Sequence, residues 1–284
     1  MYSTLVNYAD DNNLCTKDTS VNNVVVTLER DAHTSVEWFT KNYMGSNADK
    51  FQAIILGKSP PIDASFCIQG HIINTSRSIK TLGVTFDDKL KFNEHIAGIC
   101  KRASAQINAL KRISKFLNTS GRMNIYKSFI HSNFSYCPLT WMFCGKKNIQ
   151  KLEKLQERGL RFVFSDHTST YEALLLKANL LSLSMNRLKL LGIEVYKCVN
   201  KLNPEYLNSM FKQRTISYDF RDPLKLELSK FRTTSFGYKS FSYYGAKLWN
   251  SLPTEIKNVD SLSKFKENIS RWCHSADAQS FVIF

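Results

Sequence analysis

The sequence predicts an α+β chain, with short antiparallel strands and a helix in its first third and helices through most of the rest. Three observations carry this. Apolar β-formers flank an Asp/Asn turn near the N-terminus, and apolar positions recur every three to four residues across residues 92–163. Hydrophobic residues make up 43% and charged residues 22% of the 284, the balance of a chain that buries a core rather than staying disordered. That length suits one large domain or two smaller ones.

Ser3-Thr4-Leu5-Val6 leads into Tyr8-Ala9-Asp10-Asp11, and Leu14-Cys15 follows Asn12-Asn13. The pattern predicts a hairpin with two adjacent carboxylates at its tip, because Asp and Asn side chains bond their own backbone and tolerate left-handed geometry. Residues 20–43 read as a helix through Val24, Leu28, Ala32, Val36 and Phe39, capped by Thr19 or Ser20 and ended before Gly45. A turn over residues 46–50 precedes an expected strand, residues 51–56, and Pro60-Pro61 marks a surface turn. Strands are expected at residues 66–69 and 71–73, about Gly70, and another at 79–86. Asp87 and Asp88 then stand directly before an amphipathic run, where capping accounts for them.

From Phe92 to Leu117 the positions Phe92, Ile96, Ile99, Ala103, Ile107 and Leu110 keep a helical period, while Lys101, Arg102, Lys111, Arg112 and Lys115 take the opposite face. A second helix opens at Thr119-Ser120 and ends near Tyr136-Cys137-Pro138. A third begins at Lys147 and passes Leu152, Leu155, Leu160 and Val163, with Lys151, Lys154, Arg158 and Arg161 alongside. Shorter helices are expected at residues 171–178, 185–200 and 262–272, the last capped by Ser261. Between residues 211 and 243 the pattern weakens. Aromatics scattered through and just beyond it, such as Phe231, Tyr238, Tyr243 and Tyr244, read either as base-stacking groups or, more simply, as anchors of a loop-rich segment.

Charge is uneven along the chain. Residues 1–88 carry −3, residues 89–161 carry +12 and residues 162–284 carry +6. A block this basic draws polyanions, nucleic acid foremost, and the plainer alternative is a solvated Lys/Arg face. No run of about 18 apolar residues predicts a transmembrane helix, so no membrane partner is expected. The N-terminus has no basic region leading into an apolar core, and the seven cysteines form no CxxC pair, so an intracellular protein, nuclear or cytoplasmic and not secreted, is expected. The cysteines and histidines show no zinc spacing, and no phosphate-binding glycine loop or nucleophile elbow appears. Taken alone, Asp10-Asp11 is either a solvated turn or a pair able to share divalent cations.

Several signatures in order tip this balance: Tyr8-Ala9-Asp10-Asp11 followed by a helix, Asn47-Ala48-Asp49-Lys50, Leu82-Gly83-Val84-Thr85-Phe86-Asp87, and Leu90-Lys91-Phe92-Asn93-Glu94-His95-Ile96. Tyr136-Cys137-Pro138-Leu139-Thr140-Trp141 and Trp249-Asn250-Ser251-Leu252-Pro253 complete the set. Together they resemble the reverse transcriptases of non-LTR retrotransposons, the jockey-like LINE group, from the catalytic hairpin onward. The resemblance implies a partial reverse-transcriptase palm over residues 1–91, a short antiparallel sheet with its helix. A basic helical thumb would follow over 92–165, and a helical then loop-rich C-terminal region over 166–284.

The same resemblance assigns roles. Asp10 and Asp11 would bind Mg²⁺, Lys50 would protonate departing pyrophosphate or be merely an exposed loop lysine, and Tyr8 would sit beside the primer and template. Leu82, Gly83 and Val84 would form the primer grip. Lys101, Arg102, Lys111, Arg112, Lys115, Lys151, Lys154 and Arg158 would meet an RNA template and DNA primer, mainly at their phosphates. In the family a second metal-binding aspartate, the nucleotide pocket and the fingers lie upstream of the tip. Only seven residues precede Tyr8 here, so these 284 residues are expected to show little activity alone. The rival expectations are a non-catalytic nucleic-acid-binding module and an inactive translated relic.

Overall fold

The computed structural model describes residues 2–57, 64–214, 224–231, 233 and 236–281. The expected turn at Pro60-Pro61 and part of the weakly patterned 211–243 stretch lie outside these residues. The chain is α+β and divides into two compact units, Met1–Ile96 and Ala97–Phe284.

In the first unit β1 (Thr4–Tyr8) pairs antiparallel with β2 (Asp11–Cys15), Tyr8 opposite Asp11, and α1 (Val21–Lys41) follows. The Ser20 side chain makes no cap bond; instead the Asp18 carboxylate takes the Ser20 N–H at 2.8 Å and the Asn23 amide at 3.2 Å. The Phe51–Leu56 segment is not a strand. Among the described residues it makes one isolated bridge, Ala53 to Thr75, where the Ser76 N–H donates to the Ala53 carbonyl at 2.9 Å. β3 (Ser65–Ile68) and β4 (His71–Asn74) form a second hairpin, and its Phe66 and Ile73 are buried, as are Ala32 and Val36 of α1.

The strand expected over residues 79–86 is in fact a third hairpin, β5 (Ser78–Thr81) with β6 (Val84–Asp87). The chain reverses at Leu82-Gly83 with φ of 45° and 77°, as it does at Gln69-Gly70 with φ of 50° and 81°. Two successive positive φ values match the twist of the flanking strands in a two-residue hairpin loop. Among the described residues the six strands remain three separate two-stranded pairs rather than one sheet. Asp87 is structural: its carboxylate accepts from the backbone N–H groups of Lys89 (3.2 Å), Lys91 (2.9 Å) and Phe92 (2.5 Å). This fixes the entry to α2 (Asn93–Ile113), whose start is followed by the second unit.

In the second unit a single 3₁₀ turn follows α2, and α3 (Thr119–Ile125) opens behind an Asn118 side chain that accepts from the Gly121 N–H. The helix widens to π geometry over Tyr126–His131 before α4 (Ser132–Ser135). α5 (Lys146–Phe164) packs against them at Gly159, where an added Cβ would come within 2.6 Å of the Tyr126 ring. Ile107, Tyr126, Ile130, Leu152 and Leu160 are all fully buried in the helical core.

Then come α6 (Tyr171–Ala178), α7 (Leu183–Val199) and α8 (Glu205–Asn208), followed by α9 (Phe241–Ser251), α10 (Thr254–Lys257), α11 (Leu262–Trp272) and α12 (Ala276–Ser280). A second core gathers Leu188, Leu191, Tyr196, Trp249 and Phe265, with Tyr196 stacked on Phe265 at 4.3 Å. Trp249 and Asn250 clasp the passing chain. The indole N–H donates to the Leu224 carbonyl at 2.8 Å, and the Asn250 amide both accepts from and donates to Leu226, at 2.8 and 2.9 Å.

Candidate acidic tip and nucleic-acid interface

At the tip of the first hairpin Ala9 and Asp10 form the two-residue loop, and Ala9 takes φ of 51°, a left-handed geometry that costs a residue with a Cβ about 1–2 kcal/mol. Asp10 and Asp11 are both exposed, as is Tyr8, and so is β1 along its whole length. An isolated pair of strands exposed in this way gains little from packing, so its hold on the unit is polar. The Tyr2 and Ser3 N–H groups donate to Asp31 Oδ2 on α1 at 2.7 and 2.6 Å, and Arg30 Nε lies 3.4 Å from Oδ1. The Arg30 guanidinium also covers the Tyr2 ring, 4.0 Å from its centroid. Burial pushes the Asp31 carboxyl up, but the donors from Ser3, Tyr2 and Arg30 outweigh it and hold it below the ordinary carboxylate range. Asp31 escaped the sequence reading because its partners lie 28 and 29 residues away.

As hard oxygen donors, Asp10 and Asp11 suit Mg²⁺ in kind. They fall short in number: two carboxylates leave most of the oxygen ligands of two metal ions unsupplied, and among the described residues no group of three His, Cys, Asp or Glu could hold a metal. The tip by itself thus supplies two carboxylates to such a site. Lys50 ends a 3₁₀ turn, Ala48–Lys50, whose Asn47 side chain accepts from the Asp49 N–H at 3.0 Å; the lysine is exposed. Leu82 and Gly83 form the turn of the third hairpin and Val84, buried, is the first residue of its second strand.

The second unit holds the basic residues. Between residues 95 and 152 the sequence has ten Lys and Arg and no Asp or Glu. On α2 and the turn after it, Lys101, Arg102, Lys111, Arg112 and Lys115 are exposed; on α5, so are Lys151 and Lys154. The two helices run side by side in the same direction. Arg158 Nη2 donates to the Ser104 carbonyl and to Asn108 Oδ1, both at 3.3 Å, and Lys111 Nζ stands 5.7 Å from the Phe162 ring. Near the other end, burial pushes the Cys100 thiol up while the Lys151 ammonium pulls it down. Lys101, Lys151 and Lys154 therefore share one surface with Arg112, and Arg158 is the bracket between the helices.

The two acids of α5 are engaged within the fold. Glu153 accepts from Tyr171 Oη (2.7 Å), Leu183 N (3.1 Å), Ser184 N (2.8 Å) and Ser184 Oγ (2.7 Å), and Glu157 pairs with Arg161 at 2.6 Å. Neither offsets the exposed lysines. The aromatics near the C-terminal end are engaged too: Phe231, Tyr238 and Tyr243 interlock with ring centroids 4.7–5.7 Å apart, which favours the anchoring role over base stacking.

Three curated proteins resemble this chain. Over 160 residues, 55% of this chain and 18% of the relative, it is 25% identical to the RNA-directed DNA polymerase from mobile element jockey of Drosophila melanogaster. The jockey polymerase of Drosophila funebris is 23% identical over the same extent. A probable RNA-directed DNA polymerase from transposon BS, again of Drosophila melanogaster, is 23% identical over 164 residues, 56% of this chain and 18% of the relative. The matched stretch thus spans under a fifth of each relative's length. No family model matches the chain, and no solved structure does.

Proposed function

We propose, from its similarity to the jockey and BS polymerases, that this chain is a relative of non-LTR retrotransposon reverse transcriptases and carries the C-terminal part of such an enzyme. The first unit would contribute the acidic tip of the palm and the primer-side hairpin at Leu82, Gly83 and Val84. The basic helices α2 and α5 would act as a thumb that holds an RNA template and DNA primer by their phosphates. Asp10 and Asp11 would enter a Mg²⁺ site only together with a carboxylate outside these residues, with Tyr8 beside the primer and Lys50 near the departing pyrophosphate. Two-metal nucleotidyl transfer then belongs to the whole enzyme, and these 284 residues alone are expected to extend no primer.

One observation carries this reading: a 95–152 stretch with ten cations and no anion, folded so that the exposed lysines of α5 lie beside those of α2. Such a face meets phosphate without reading sequence. If about six cations each neutralise a phosphate, log K for an RNA–DNA duplex falls with log salt at a slope of roughly −5. The test is duplex binding from 50 to 300 mM salt by the wild type and by a Lys101→Ala, Arg112→Ala, Lys151→Ala, Lys154→Ala variant. Binding with that slope, flattened in the variant, supports the reading, and no binding at 50 mM salt overturns it. The same basic surface favours a second reading, a nucleic-acid-binding module with no catalysis. Primer extension with Mg²⁺, abolished by Asp10→Ala, would exclude the module and also overturn the expected inactivity of the isolated chain.

A further inference from the structure

Two phenylalanines of this basic stretch stand out to solvent in a way that phosphate binding does not explain. Phe116 is 76% exposed and Phe129 60% exposed, the two most exposed phenylalanines among the described residues. Phe116 ends the 3₁₀ turn after α2, and Phe129 lies in the π turn that follows α3. Lys115 Nζ stands 4.8 Å from the Phe116 ring centroid. Phe129 sits one turn before Asn133, whose side-chain oxygen accepts from Arg102 Nε at 3.3 Å, and the Phe129 carbonyl accepts from the Asn133 amide at 2.6 Å. Ile113, 43% exposed, adds apolar surface beside Arg112. Phe116 thus offers apolar surface with a cation over its ring, and Phe129 offers an open ring one helical turn from the Arg102-bonded Asn133, both inside the stretch that has no acidic residue.

We propose that Phe116 and Phe129 are a base-stacking site for single-stranded nucleic acid, so that the basic unit holds unpaired template as well as duplex. The argument rests on the phosphate-binding reading above and adds a ligand class to it. In a duplex the bases are stacked on one another and only the backbone is presented, so exposed rings gain nothing there. In a single strand every base offers a π face, and cations of the same stretch take the adjoining phosphates. A protein partner for two such rings would need acidic groups to answer the surrounding lysines and arginines. A single strand brings both the flat apolar surface and the negative charge.

The test compares two probes, a fluorescent 20-nucleotide uridine strand and an RNA–DNA duplex of equal phosphate number, on the 284-residue chain at fixed salt. Phe116→Ala with Phe129→Ala should weaken the single strand at least tenfold, within the range for loss of base–aromatic stacking, and leave the duplex within twofold. Phe116→Trp with Phe129→Trp should restore single-strand affinity. Because both rings are exposed, the alanine variant should keep the wild-type melting temperature. Equal weakening of both probes, or no change for the single strand, overturns the stacking site while leaving the phosphate reading intact. A wild type that binds neither probe overturns both. Unchanged affinity for both probes together with loss of self-association would identify the rings as a protein contact and also overturn the proposal.

Discussion

Replacing Asp31 with alanine should release the hairpin that carries Asp10 and Asp11 while leaving the helical unit intact. Asp31 Oδ2 accepts two backbone N–H groups at the start of β1, at 2.7 and 2.6 Å, and the Ser3 end of this contact is buried. A hydrogen bond to a charged group contributes about 1.5–3 kcal/mol, and a buried donor left without a partner costs about as much again as an unmade bond, so Asp31→Ala should cost the hairpin about 2–4 kcal/mol. Little apolar burial along β1 offsets that loss. Amide hydrogen exchange of residues 4–15 should therefore accelerate roughly 30-fold or more, since 1.4 kcal/mol corresponds to a factor of ten, while α5 and α7 keep wild-type protection. The carboxyl also sets a pH dependence. Its folded pKa lies below the ordinary value of 3.8, so its contribution is complete above about pH 4 and is lost as pH falls through the folded value. NMR shifts of the Tyr2 and Ser3 amides, followed downward from pH 5, should report this transition. Hairpin exchange in Asp31→Ala equal to wild type would refute the anchoring argument.

Three further outcomes follow from the described contacts. Leu82→Asn should stabilise the third hairpin by about 0.5–1 kcal/mol, because Asn tolerates the positive φ that Leu82 holds at 45°; a lower melting temperature would contradict this. Gly159→Ala should destabilise the helical unit by about 1–3 kcal/mol, since the new Cβ would fall 2.6 Å from the buried Tyr126 ring, and chemical denaturation followed by circular dichroism measures it. In the native protein Cys15, Cys67 and Cys137 should react promptly with a thiol reagent. Cys144, Cys198 and Cys273 should react only on unfolding, since burial raises all three and pushes Cys273 to about 12. Prompt labelling of Cys273 at pH 8 would refute its placement.

The long helices were legible because their apolar positions keep a 3.6-residue period, and the acidic tip because Asp and Asn punctuate a run of β-formers. Leu82-Gly83 was not legible as a turn, since leucine ordinarily continues a strand and only its neighbour signals reversal. The helix at Phe241–Ser251 hid behind aromatic residues and Gly245, though Ser240 caps it. Among the candidate site residues, the exposed lysines could be read from spacing on their own helices. Arg158 was legible as a helix cation but not as a brace, and Asp31 and Glu153 not at all, since all three act through partners tens of residues away. Several motifs behind the family resemblance prove structural in this chain: Asp87 holds the turn into α2, and Trp249-Asn250 clasps residues 224–226.

The π turn over Tyr126–His131 makes this chain unequally tolerant of length changes. A π turn holds one residue more than the α-helical turn it replaces. Deleting a single residue there would let the helix close into ordinary α geometry, and Phe134 beyond it would still point into the core. The same deletion in the middle of α2 would rotate everything after it by about 100° and turn Ile107 and Leu110 out to water while driving lysines inward. Natural single-residue deletions in related copies should accordingly collect within this one turn and be purged from the helices on either side.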